Sequence, residues 1–118
     1  MSAESTSPPS VHISGDTLAL DQAVRDQVLS EANKLQRRHP DETLGLRVRI
    51  MEEFDRLHGH RVRCEVVTTL RERRQVIIRE AKKQAAEAIA EAFAATKRQL
   101  RRLRQRGANR PQLAVNDS

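Results

Sequence analysis

Two periodicities divide this chain. Leu20, Val24, Val28, Ala32 and Leu35 recur at three- and four-residue steps, the stripe of an amphipathic helix. Asp21 stands where an N-cap belongs, and Lys34, Arg37 and Arg38 fall in the last turn, where the helix dipole favours positive charge. His39-Pro40 stops that helix. From Leu44 the period changes to two. Leu46, Val48 and Ile50 alternate with Arg47, Arg49 and Met51, and Val62, Cys64 and Val66 alternate with Arg61, Arg63 and Glu65. Val11-His12-Ile13-Ser14 makes a short strand before Gly15-Asp16, and Val76 and Ile78 share one face of a fourth strand. Glu52 to His60 reads as a polar turn region, and Leu70 to Arg74 as a tight hairpin.

The chain closes on a long helix expected from about Lys82 to Arg106. Its stripe is Ala85, Ile89, Ala92/Phe93, Thr96, Leu100 and Leu103, and Gly107 and Pro111 mark its end. Gly15, Gly45, Gly59, Gly107, Pro40 and Pro111 all fall at predicted junctions. The order β-α-β-β-β-α predicts an α+β domain. Two striped helices and one half-polar sheet each bury a face by stacking as two layers: a four-stranded mixed, mainly antiparallel sheet with both helices on one face, as in double-stranded RNA-binding domains. The other sheet face stays solvated and carries Arg47, Arg49, Arg61 and Arg63. The expected organisation is a disordered tail over 1–10, one domain over 11–106 and a flexible tail over 107–118.

Composition narrows the class. With 118 residues, 37% hydrophobic and 32% charged, the chain holds one small charge-rich domain. No apolar run approaches the ~20 residues that span a bilayer, and the N-terminus lacks a secretory pattern. A lone Cys64 forms no internal disulfide, which points to the cytoplasm.

Charge changes the picture most. The net charge is +6, and Lys97 to Arg106 holds six basic side chains and no acid, so the rest of the chain sums to zero. The bland alternative is a solvated helix face. No interleaved acid offers i,i+4 pairing along this run, however, and like charges at that spacing cost a few tenths of a kcal/mol per pair. Bound phosphate offsets that cost. About six neutralised phosphates would give a log affinity against log salt slope of about −4 to −5. The expected RNA-binding residues are Lys97, Arg98, Arg101, Arg102, Arg104 and Arg106. Lys82 and Lys83 near the other helix end extend that set, as do Lys34, Arg37 and Arg38 if their helix end lies on the same side. With no Trp or Tyr and only Phe54 and Phe93, the chain has no aromatic platform for reading bases. Arginine and lysine grip phosphates, so selectivity must come from the shape of a structured RNA. Glu52, Glu53 and Glu65 lie close enough to pair with some sheet arginines, and there the solvated reading outweighs a second patch.

Other chemistries find little support. His58-Gly59-His60 with Cys64 falls short of the four tetrahedral ligands zinc usually takes, and Cys64 points inward while the histidines lie in a turn. His12 and His39 read as a strand residue and a helix-stop residue. There is no nucleophile elbow and no glycine-rich phosphate loop, so neither catalysis nor a cofactor is expected.

The element order and the last helix resemble the ribosome hibernation-promoting factor family, also called ribosome-associated inhibitor A or sigma-54 modulation proteins. The resemblance covers about residues 11–106. That family's final helix typically reads A-I-D, a short apolar stretch, then K-L-x-R-Q-L-x-K-x-K. Here Ala88-Ile89-Ala90 is followed by Arg98-Gln99-Leu100-Arg101-Arg102-Leu103-Arg104, and Lys34-Leu35 matches a K-L near the end of the first helix. The chain departs from the pattern at Gln84-Ala85-Ala86, where the family has D-x-Y, and at Ala90 and Ala95-Thr96. The resemblance implies binding to 16S rRNA in the decoding region of the small ribosomal subunit, exclusion of tRNA and mRNA, and translational silencing in resting cells. It implies no membrane and no small-molecule substrate. Long members add a C-terminal dimerisation domain; with the sequence ending about a dozen residues after Arg106, pairing of ribosomes through that route is not expected, and a monomer off the ribosome is. The rival readings are a general double-stranded RNA-binding module and a protein-interaction module using the basic helix.

Overall fold

The computed structural model describes the backbone of residues 10–16, 21–39, 43–71 and 74–117, and the side chains of 11–16, 21–39, 45–71 and 74–106. The lead-in through Pro9, Leu20, Pro40 and the centre of the Leu70–Arg74 hairpin lie outside the described residues. The elements are β1 (Ser10–Gly15), α1 (Gln22–Arg38), β2 (Thr43–Asp55), β3 (Gly59–Leu70), β4 (Gln75–Lys82) and α2 (Ala85–Asp117). The sheet order is β1-β2-β3-β4, with β1 parallel to β2 and the other pairs antiparallel. The expected order and mixed sheet are both present. Crossing from β1 to β2 sets α1 over those two strands, while α2 covers β3 and β4 and packs against α1.

Alternation decides which face the helices cover. Leu46, Val48 and Ile50 of β2 and Val62, Cys64 and Val66 of β3 are buried, while Arg47 and Arg49 between them are exposed. Onto that inner face α1 sets Val24, Val28, Ala32 and Leu35, and α2 sets Ala88, Ile89, Ala92, Phe93 and Leu100. Thr96 fits the stripe because its hydroxyl donates to the Ala92 carbonyl at 2.8 Å, which satisfies that buried hydroxyl within its own helix. Asp21 caps α1 by accepting from the Val24 N–H at 2.8 Å. Gly15 is fixed by space, since at φ +147 a Cβ would overlap the Ile50 carbonyl oxygen.

Several boundaries differ from the sequence reading. The polar stretch after Met51 is not a turn: β2 runs to Asp55 and β3 begins at Gly59, so the reversal is only Arg56 to His58. Polar strand ends hold together through cross-strand partners, with Glu53 accepting from Arg63 at 2.9 Å and Glu52 facing His60 at 2.7 Å. Gly45 lies inside β2, at a register irregularity between Thr43 and Gly45, and not at a junction. At the other end β4 keeps Lys82, and α2 begins at Ala85. α2 then runs through Gly107 and Pro111 to Asp117 instead of stopping at Arg106. Glycine and proline cost about 1 and about 3 kcal/mol in a helix interior. Those are local preferences, which favour a stop without enforcing one.

Burial pushes the Cys64 thiol up to about 12, so it stays protonated through neutral and mildly basic pH. The native protein should therefore resist thiol reagents at pH 8 and react fully once unfolded in urea; fast native labelling would show that the inner face is open. Phe93→Ala should lower stability by about 3–5 kcal/mol, read as an earlier urea midpoint. A shift under about 1 kcal/mol would mean that α2 does not rest on this ring.

Candidate nucleic-acid interface

The α2 segment from Lys97 to Arg106 is amphipathic in an unusual sense: one side is core and the rest is cation. Leu100 is buried and Leu103 half-buried against the sheet. At 100° per residue Lys97, Arg101 and Arg104 fall on the flank beside α1, Arg98 opposite the core, and Arg102 and Arg106 on the far flank. Arg98, Arg101, Arg102, Arg104 and Arg106 are exposed, and Lys97 is half-buried.

Two of the six reach carboxylates. Lys97 Nζ lies 3.6 Å from Glu31 of α1, and Arg98 lies 3.8 Å from Glu91 about two turns upstream. The Arg98 pair is half-exposed and long, the kind worth little in water. Arg104 is held by its own fold, donating to the Arg38 carbonyl at 3.2 Å and to His39 Nδ1 at 2.8 Å. A guanidinium has only donors, so Nδ1 accepts and the His39 proton sits on Nε2. Arg101, Arg102 and Arg106 meet no carboxylate among the described residues. The run is thus tethered chiefly at Lys97 and Arg104 and open at Arg101, Arg102 and Arg106.

Arg104 also settles a question of placement. By bridging to the end of α1 it brings Arg37 and Arg38, both exposed in that helix's last turn, beside the α2 run. Gln27 donating to the Ala86 carbonyl and Glu31 reaching Lys97 show the two helices running in the same direction. Lys34, exposed one turn back, belongs to the same end. Lys82 and Lys83 do not. They precede α2, whose first residue Ala85 lies about 20 Å along the helix axis from Arg98.

One contributor was not visible in the sequence. A groove of about 390 Å³ between α2 and β4 is lined by Leu70, Arg74, Gln75, Gln99 and Leu103 among others. It places the exposed Arg74 on the far flank of the basic run. Only the β3–β4 register reveals this; in the sequence Arg74 was one of several charges in a hairpin. The histidine and cysteine candidates are dispersed. His58 pairs with Asp55 at 2.8 Å and His60 with Glu52 at 2.7 Å, while Cys64 lies under the helices. The His58 contact holds the Asp55 carboxyl below its ordinary range. No helix among the described residues is long and apolar enough to cross a membrane.

Residues 11–107 match the family model for sigma 54 modulation protein / S30EA ribosomal protein. Among solved structures, the chain is similar to a ribosomal subunit interface protein from Coxiella burnetii at TM-score 0.67 and 8% identity, covering 81% of this chain and 98% of that one. It is also similar to the N-terminal domain of Thermus thermophilus Protein Y at TM-score 0.63 and 21% identity, covering 82% of this chain and 99% of that one. At those identities the likeness is one of fold. No curated protein matches the sequence.

Because Glu31 and Glu91 each draw on one cation, Glu31→Gln with Glu91→Gln should make the protein elute from a heparin column at higher salt. Unchanged or earlier elution would mean that Lys97 and Arg98 do not face the polyanion.

Proposed function

This chain belongs to the sigma 54 modulation protein / S30EA ribosomal protein family, a family of ribosome-associated modulators, and we propose that it silences ribosomes by occupying an RNA cleft on the small subunit. The observation carrying this reading is the outer arc of α2, where Arg101, Arg102 and Arg106 meet no carboxylate among the described residues and stand beside Arg37, Arg38 and Arg74. A convex cationic end without aromatic side chains grips phosphates and reads shape. A folded rRNA cleft supplies closely spaced phosphates from several strands, and a bare RNA duplex supplies only one regular surface.

In the proposed mechanism the body lodges in the decoding region of 16S rRNA, and its bulk excludes tRNA and mRNA. No bond is made or broken, and occupancy itself is the activity. The outer arc supplies the affinity, and the apolar stripe beneath it keeps the helix from tilting away under load. Arg104 contributes chiefly by fixing α1's end against α2, which sets the spacing of Arg37 and Arg38 relative to the run. The protein acts as a monomer, in the cytoplasm where ribosomes work.

Arg101→Ala with Arg102→Ala should weaken binding to small subunits while leaving the urea midpoint unchanged. Losing two phosphate contacts should make the log affinity against log salt slope shallower by about 1.4 to 1.8. Wild-type cosedimentation and an unchanged slope in that variant would remove α2 from the interface. Equal affinity of the native protein for a plain RNA duplex would favour the general double-stranded RNA-binding reading instead.

A further inference from the structure

The face of the sheet turned away from the helices is also cationic. Directly opposed residues share a face, so the register defines its rows. Arg49, Glu65 and Arg79 form one row across β2, β3 and β4, and Arg47, Val67 and Ile77 form the next. Met51, Arg63 and Ala81 follow, then Glu53 opposite Arg61. These rows hold five arginines and two glutamates, a surplus of three positive charges, and no lysine. The neutralisation is uneven. Glu53 takes Arg63 at 2.9 Å and Glu65 takes Arg79 at 2.8 Å. Arg61 donates to the Ala81 carbonyl at 2.7 Å and pairs with no carboxylate among the described residues. Arg47 and Arg49 are exposed and reach no carboxylate among the described residues; Arg49 touches only the Met51 sulfur, at 3.2 Å.

A solvated face is the ordinary fate of such a surface, and it accounts for scattered charge of both signs. It accounts poorly for this one. Successive outward positions on a strand are about 6.7 Å apart, so Arg47 and Arg49 set two unpaired guanidiniums side by side. Planar arginine forks, unlike lysine, suit bidentate contact with phosphate oxygens. Arg49, Met51, Arg63, Glu65 and Arg79 line a shallow depression of about 270 Å³, larger than the volume of a phosphate group. The Cα trace is only 18 Å across its thinnest dimension. Cationic groups therefore look out from both sides of a slab.

We propose that the outer sheet face, centred on Arg47, Arg49 and Arg61, binds a second segment of RNA phosphate backbone, so that one molecule is held between two RNA surfaces. The α2 arc grips one wall of the cleft and the sheet the other. That the RNA is ribosomal rests on the function proposed above. Charge complementarity selects the partner: three arginine charges that meet no carboxylate among the described residues call for an anion.

The test uses the whole protein and purified small subunits. Arg47→Gln with Arg49→Gln keeps much of each side-chain stem over the sheet while removing both charges, and circular dichroism with a urea titration checks that the fold is kept. Binding should weaken, and the log affinity against log salt slope should become shallower by about 1.4 to 1.8. Hydroxyl-radical footprinting should show protections lost at rRNA positions different from those lost with Arg101→Ala and Arg102→Ala. Wild-type affinity and slope in the glutamine variant would overturn the proposal while leaving the α2 reading intact. So would identical lost protections in both variants, or weaker binding with an unchanged salt slope, which would assign the face to a protein neighbour. If the unaltered protein fails to bind subunits at all, the functional reading above fails first and this proposal falls with it.

Discussion

Everything in this molecule depends on how one helix is anchored. α2 rests on the sheet through Ile89, Phe93 and Leu100, all buried, and beyond them the half-buried Leu103 also packs against the core. Fully burying side chains of this kind is worth about 1.5–3 kcal/mol each, whereas repulsion between exposed like charges four apart costs a few tenths. Packing therefore outweighs the self-repulsion of six cations by a wide margin. A helix made only of the cationic run would have no such anchor and would be unstable alone in water. The apolar stripe is what allows a dense positive arc to be displayed at a fixed place.

The rest of the fold serves that display. α1 runs parallel to α2, so its basic last turn ends beside the basic run, and Arg104 locks the two ends together through the Arg38 carbonyl and His39. The β3–β4 hairpin reaches the same end and adds Arg74. Three separate chain segments thus meet at one pole. The opposite pole is built differently. There Asp55 with His58 and Glu52 with His60 form local pairs, and the only nearby cations from the predicted set are Lys82 and Lys83. The concentration of charge is topological as much as sequential.

Much of this was legible in the chain itself. The switch from a period near 3.6 to a period of two located both helices and all four strands, because burial on one face leaves that imprint directly. The stripe residues Val24, Val28, Ala32, Leu35, Ile89, Phe93 and Leu100 all lie in the core as expected. What failed was punctuation. Glu52 to Asp55 looked like part of a turn because three of the four are acidic, yet they extend a strand beyond the helical layer, where cross-strand pairing replaces burial. Gly45 and Gly107 looked like breaks and are not, since glycine relaxes local preference without dictating a reversal. The site was half readable. Six consecutive-segment cations and the outward arginines of β2 and β3 stood out, but the Lys97–Glu31 pair, the proximity of Arg74 and the Glu65–Arg79 pair arise between elements far apart in sequence. No local window contains them.

The most direct measurement is an electron cryomicroscopy reconstruction of the protein on the small ribosomal subunit. The account requires the outer arc of α2 between Lys97 and Arg106 to lie against rRNA phosphates, with its apolar side still seated on the sheet. A complex in which that arc faces solvent, while the body is held by ribosomal proteins through other surfaces, would contradict it.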